Sequence, residues 1–333
     1  MATKTKRPSP EEVLLADVVA LMESSDLAPW RKPWTSRSGD HRNPISGSVY
    51  RGVNPLLLEL GLLMRGSTIP LWCGAAQAKQ HKWCPQKGSR SVRIVRPQLN
   101  KREQTDDAGK PVLDNNGDAV VAAWVSYRPA TVFNFNDLKG MTPEAQSALD
   151  DFIAAQLGDA LAVETGARLE AAEAHLESWP VPVSIGGATA CYSPSLDRIS
   201  LPHPGDFISR ETYCATWLHE QSHSTGHPSR LNRPLGNRFG SDAYALEELT
   251  AEFASVLACM RLGIGCEITQ HAAYLKSWAS HLKEGGPKAL FKVLSEARQA
   301  ADLIAPESTD AAHLYDAVDD EQPWLSPYDY SLA

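Results

Sequence analysis

The sequence predicts an α+β chain of two units, a small N-terminal one and a larger C-terminal one. Three observations carry that expectation. The N-terminal half combines a helical pattern with two β-branched, aromatic strands. Composition and charge change near Gly140. The C-terminal half runs from short strands into long segments with helical spacing. With 333 residues, 43% apolar and 22% charged, the chain can bury a substantial core and is expected to form about two domains.

In order along the chain, the first segment has apolar residues at helical spacing (Val13, Leu14, Val18, Val19, Leu21, Met22), with Ser9 as its N-cap. Residues 28–54 alternate tryptophans and basic residues among prolines and glycines, which suits an ordered loop. A short helix is expected over Pro55–Met64, and the turn PQKGS then opens the strand SVRIVRP. The polar stretch Gln98–Asp118 fits a hairpin tip, and VVAAWVSYRPATVFNF is the return strand. Alanine-rich, acidic residues after Gly140 predict one or two helices. Three short strands come next, VPVSIGG, ATACYS and RISLP. Two helices complete the pattern, Arg210–Ser224 and Ala243–Leu262, the second capped by Ser241 or Asp242 and closed by Gly263.

Several classes are excluded. The most apolar stretch, Leu56–Met64, is broken by Glu59 and closed by Arg65, so it is too short for a membrane span. The first residues pass from basic to acidic without an apolar signal core, and the expectation is a soluble cytoplasmic protein with no membrane partner. Six cysteines without a CxxC pair read as reduced thiols. The net charge of −8 conceals an asymmetry: residues 1–140 hold 20 Lys and Arg against 13 Asp and Glu, a net of +7, which leaves −15 for the rest. A basic half suits a polyanionic partner, although charge alone also fits a solvated surface.

The sharpest motif is His219-Glu220-Gln221-Ser222-His223. Histidines at i and i+4 share one helix face, so both imidazoles can reach one ion, and Glu220 is placed to act as general base. This is the HExxH arrangement of zinc peptidases. Ser229 stands where the HExxHxxGxxH pattern needs its third histidine, and His227 falls past the helix end. The third ligand is therefore expected to be acidic. Glu248 and Glu252 lie one turn apart on the next helix, which resembles the ExxxD helix of gluzincins; that resemblance implies Glu248 as ligand and Glu252 as the carboxylate that orients a ligand histidine, with Glu247 as the fallback ligand. Zn2+ suits the donor set, and Mn2+ or another divalent transition metal can occupy a similar site. Arg198–Leu201 sits where zincin folds place an edge strand, and that likeness implies an edge to which a peptide substrate would add.

The run from ACYSPSLDRISLP through WLHEQSHSTGHPSRLNR, together with FGSDAYALEELTAEFAS, resembles the zincin-like domain of the ArdC-type antirestriction proteins of conjugative plasmids and phages. WRKPW, YRGVN at Tyr50–Asn54, the Lys87-Gly88 turn and VFNF resemble that family's N-terminal single-stranded DNA-binding domain, and AAYLKSWASHL its C-terminal helices. The HEQSH interior is more polar than the family pattern, and Thr250 and Phe253 stand where aliphatics are usual. The resemblance implies a small α+β DNA-binding domain over 1–140, a zincin-like metallopeptidase domain over 141–305 and an acidic tail over 306–333. It also implies a role in protecting incoming DNA from host restriction.

Unpaired bases are held by basic grooves and aromatic faces. Trp30, Arg31, Lys32, Trp34, Tyr50, Arg51, Lys87, Arg90 and Arg93 are the residues expected to contact single-stranded DNA. Trp72, Trp83 and Trp124 supply further rings, with Trp72 and Trp124 better suited by residue type alone to a core. Two alternatives stay open: a DNA-anchored regulatory metallopeptidase that cleaves a host protein, and a non-enzymatic DNA-coating protein whose metal is structural.

Overall fold

The structure is a computed structural model that describes residues 8–24, 41–65, 67, 69–104, 110–113, 119–158, 165–235, 241–264 and 275–307. Helix α1 (Pro10–Ser24) opens on a reciprocal cap: the Glu12 N–H donates to Ser9 Oγ, and the Ser9 N–H donates to the Glu12 carboxylate. Strands β1 (Arg42–Asn43) and β2 (Ser48–Val49) form a small hairpin before α2 (Asn54–Arg65). Glu59, which interrupts the apolar run of α2, is buried beside His41 at 3.2 Å, and the other ring nitrogen of His41 accepts from Trp72 Nε1. A polar chain thus satisfies the one carboxylate buried in that helix.

Strand β3 (Trp72–Cys73), helix α3 (Ala75–Gln80) and strand β4 (Trp83–Pro85) lead into β5 (Val92–Glu103), β6 (Val121–Asn134) and β7 (Leu138–Gly140). The strands form a β3-β6-β5 sheet and a β4-β7 pair. The ribbon is longer than expected, because β5 continues past Pro97 to Glu103 in register with Val121. A two-stranded ribbon turns alternate N–H groups outward, so proline is tolerated there. Asn54 ties α2 to this ribbon, donating to the Val95 carbonyl and accepting from its N–H, both at 2.8 Å.

The composition change at Gly140 is not a break in packing. Helix α4 (Pro143–Gly158) closes the N-terminal sheets: Ala145 and Leu149 bury against Leu71, Trp83 and Phe135, and Trp83 Nε1 donates to the Ala145 carbonyl. Gly140 is required there, since a Cβ would lie 2.1 Å from the Gln146 nitrogen. Conversely, Leu14, Val18 and Met22 of α1 and Leu57 of α2 belong to the large core of the C-terminal unit.

That unit contains α5 (Thr165–Glu177), β8 (Val183–Ile185), β9 (Cys191–Ser193), β10 (Arg198–Leu201), α6 (Arg210–Ser224), α7 (Asp242–Leu262) and α8 (Leu275–Ile304), the last broken at Gly286-Pro287. The sheet order is β8-β10-β9. Arg198–Leu201 is therefore central and not the expected edge: Ser200 pairs with Ser184 on one side and with Cys191 on the other. The tight turn with left-handed Asp197 folds β9 back as the outer strand. Ser209 and Ser241 cap α6 and α7, and Gly263, at φ 65°, ends α7 in the left-handed conformation that glycine adopts without strain. No helix among the described residues is long and apolar enough to cross a membrane.

Candidate functional site

Helix α6 is buried along most of its length between α5, the small sheet and α7, so its polar residues need internal partners. They have them. Gln221 Nε2 donates to the Leu176 carbonyl, Ser222 Oγ to the Leu218 carbonyl, and Ser224 Oγ accepts from Trp179 Nε1. This is why the HEQSH interior can be polar. On α7, Thr250 turns its hydroxyl back to the Leu246 carbonyl, and Phe253 is wholly buried in the core.

The face of α6 that meets α7 carries His219 and His223. Their rings are nearly perpendicular, at 85°, and their Nε2 atoms are 3.1 Å apart. Glu248 places Oε2 3.6 Å from each of them. A tetrahedral cation with bonds of roughly 2.0–2.1 Å needs ligand atoms separated by roughly 3.3–3.4 Å. The triangle of 3.1, 3.6 and 3.6 Å and the two-imidazole, one-carboxylate donor set fit such an ion. Glu220, buried at 7% exposure, directly succeeds His219 in the helix.

Each histidine has a carboxylate behind it. Glu252, fully buried, lies 3.6 Å from His219 Nδ1, and Glu247 lies 3.1 Å from His223 Nδ1. Carboxylates at Nδ1 favour the tautomer whose Nε2 lone pair faces the site. Glu247, the fallback ligand, is turned away from the donor triangle: Arg233 binds both of its oxygens, at 2.8 and 2.9 Å. Burial raises the Glu247 carboxyl, but the Arg233 and His223 hydrogen bonds outweigh it and hold it below the ordinary value. Burial likewise works against ionised Glu248, yet hydrogen bonds and charge from His219 and His223 bring it well below the carboxylate range. Burial lowers His223, and its bonds to Glu247 and Glu248 reverse this, raising it to about 10.

His227 lies apart from this group. Its Nδ1 is 2.7 Å from Ser229 Oγ and 4.0 Å from Asp197, which also binds Arg230 and the Tyr192 hydroxyl. That second cluster fastens the β9–β10 turn to the end of α6, where Arg230 Nε donates to the Ser224 carbonyl.

The expected DNA contacts divide differently. Trp30, Arg31, Lys32 and Trp34 lie outside the described residues, as do the Trp124 side chain and residues 308–333. Lys87 and Arg90 are exposed, and Arg93 is half-buried. Arg90 and Arg93 face Asp17 of α1, whose carboxyl is raised by burial and partly restored by Arg90, Arg93 and Arg65. Tyr50 is half-buried against the Leu58 and Trp72 cluster, and burial raises its phenol. Arg51 sits 4.0 Å from Glu307, whose carboxylate also accepts from the Gly52 N–H. Trp72 and Trp83 are core residues and cannot serve as stacking platforms. Arg233 has no counterpart among the sequence expectations, because a lone arginine in an irregular loop carries no periodic signal.

Comparison with known proteins adds to this geometry. The profile of the N-terminal domain of anti-restriction factor ArdC matches residues 10–133, and that of a zincin-like metallopeptidase matches residues 170–296. A DNA primase TraC of Escherichia coli is 35% identical over 311 residues, covering 90% of this chain but 27% of that protein. The chain thus spans about a quarter of that relative's length. The solved antirestriction ArdC protein of plasmid R388, metal-free, is 27% identical with a TM-score of 0.61, covering 92% of this chain and 99% of that one. Its Mn(II)-bound structure is 25% identical with a TM-score of 0.60, covering 94% and 100%. With both domains present in the same order, the chain belongs to the ArdC-type antirestriction family, an ArdC N-terminal domain joined to a zincin-like metallopeptidase domain.

Proposed function

We propose that the protein protects incoming plasmid or phage DNA from host restriction, binding single-stranded DNA through its N-terminal unit and holding one divalent metal ion on His219, His223 and Glu248. The observation that supports the metal site is the triangle of donor atoms between α6 and α7. Zinc suits two imidazoles and a carboxylate, and manganese is the metal named for the R388 relative. When bound, the ion would supply Lewis acidity to polarise a carbonyl. The chain's own residues do the rest. Glu252 and Glu247 hold the imidazoles at Nδ1, and the core around α6 and α7 keeps the site rigid. Glu220 takes a proton from the attacking water and delivers it to the leaving amine of a protein or peptide substrate.

DNA binding rests on charge. Lys87, Arg90, Arg93 and the pair Arg31 and Lys32 would neutralise phosphates, with Trp30 and Trp34 offering faces for unpaired bases. The test is transfer of unmodified DNA into a restricting host with wild type and Glu220→Gln, after confirming that the variant folds, keeps its metal and binds single-stranded DNA. Lost protection is expected. Full protection by Glu220→Gln would leave DNA coating as the function and the metal as structural. The exposure of Lys87 and Arg90 is the observation that favours that second reading.

A further inference from the structure

We infer that Arg233 is a positioning residue for His223, and that it decides which of the adjacent carboxylates Glu247 and Glu248 faces the metal. The inference rests on the proposed metal site. Glu247 and Glu248 are neighbours on α7 and both reach His223, Glu247 at Nδ1 and Glu248 at Nε2. By chemistry alone either could be the ligand. Arg233 removes the ambiguity by taking both Glu247 oxygens, through Nε at 2.9 Å and an Nη at 2.8 Å. What capacity Glu247 has left goes to the His223 Nδ1–H, which turns the Nε2 lone pair toward the site.

The guanidinium is itself fixed to the helix that carries the histidines. Its remaining bonds reach the Ser222 carbonyl at 2.9 Å and Thr225 Oγ1 at 2.7 Å, at the end of α6. Four of its five N–H donors are therefore used, and the residue is 6% exposed. A planar fork is needed for this, because a lysine ammonium cannot hold two carboxylate oxygens and two further acceptors in one plane. The loop after α6 thus contributes to the site through Arg233, which binds Glu247 and the end of α6 rather than a donor atom of the triangle.

The probe is Co(II), titrated into the full chain and monitored by visible absorption. Compared with wild type, Arg233→Leu should bind about 10–100-fold more weakly and show an altered band intensity, since the released Glu247 can enter the coordination shell. Arg233→Lys should recover part of the affinity but not the wild-type spectrum. Adding Glu247→Gln to Arg233→Leu should move the spectrum back toward wild type, because the intruding carboxylate is gone. A folded Arg233→Leu chain with wild-type affinity and spectrum would overturn the inference. If that variant does not fold, Arg233→Lys decides: wild-type affinity and spectrum there would overturn it equally. Failure of the wild-type chain to bind Co(II) would instead remove the metal site on which the inference stands.

Discussion

The proposed metal cluster of the C-terminal unit is assembled from buried and half-buried side chains on two packed helices, whereas the basic surface of the N-terminal unit is assembled from more exposed side chains on turns and a ribbon. The difference is one of redundancy. In the cluster each group has a fixed partner: Glu252 backs His219, Glu247 backs His223, and Arg233 holds Glu247. A change there propagates through hydrogen bonds in a medium of low dielectric constant. On the surface, Lys87 and Arg90 act through screened Coulomb attraction, so the loss of one leaves the others working.

That contrast can be broken most directly at Glu220. Under the proposed function, Glu220→Gln should lower peptide hydrolysis by about 10²–10⁴-fold while metal content and DNA affinity stay at wild-type values; a loss of DNA binding in this variant would mean that the two units are not separable. Next in size is the core that supports the cluster. Phe253→Ala should cost about 3–5 kcal/mol of stability in a denaturant titration, whereas Lys87→Ala should stay within about 0.5 kcal/mol. Equal costs would contradict the division between a packed site and a solvated one.

The charge pairing of the cluster predicts a pH dependence. His223 is raised from 6.5 to about 10, so its contribution is complete below 6.5 and is lost as pH climbs toward 10. Glu248 is lowered, so its contribution is complete above 4.5 and is lost as pH falls below that. The Tm of the metal-free protein should therefore fall between pH 6.5 and 10, and saturating metal should flatten this slope because the ion replaces the proton. A metal-free Tm that does not change over that range would count against the pairing. The smallest effects belong to the surface: Lys87→Ala, Arg90→Ala and Arg93→Ala should each reduce the salt slope of single-stranded DNA binding by about 0.7, read by fluorescence anisotropy at several salt concentrations.

Periodicity and caps make the two site helices legible. Arg210–Ser224 and α7 are bounded by Ser209, Ser241 and Gly263, residues whose local chemistry ends helices without help from the rest of the fold. His219, His223 and Glu248 are legible because helical spacing converts directly into a shared face, and the structure brings these three together. The features that escape the sequence depend on tertiary partners. Arg198–Leu201 is the central strand because β9 folds back over it. Helix α4 joins the N-terminal unit through Trp83 and Phe135, although its alanine-rich, acidic composition is that of the C-terminal half. Trp83 has the residue type of a stacking ring, but its indole is bound to the Ala145 carbonyl inside a core. Arg233 acts through contacts distant from any motif.

The central claim is that His219, His223 and Glu248 together hold one divalent ion. Its most direct test is the metal content of the purified chain after exposure to zinc or manganese, compared with His223→Ala and Glu248→Ala variants shown to be folded. About one equivalent in wild type and a loss of at least about 100-fold in affinity in each variant is the expected result, larger than the effect of losing an outer partner. Undiminished metal binding by either folded variant would contradict it.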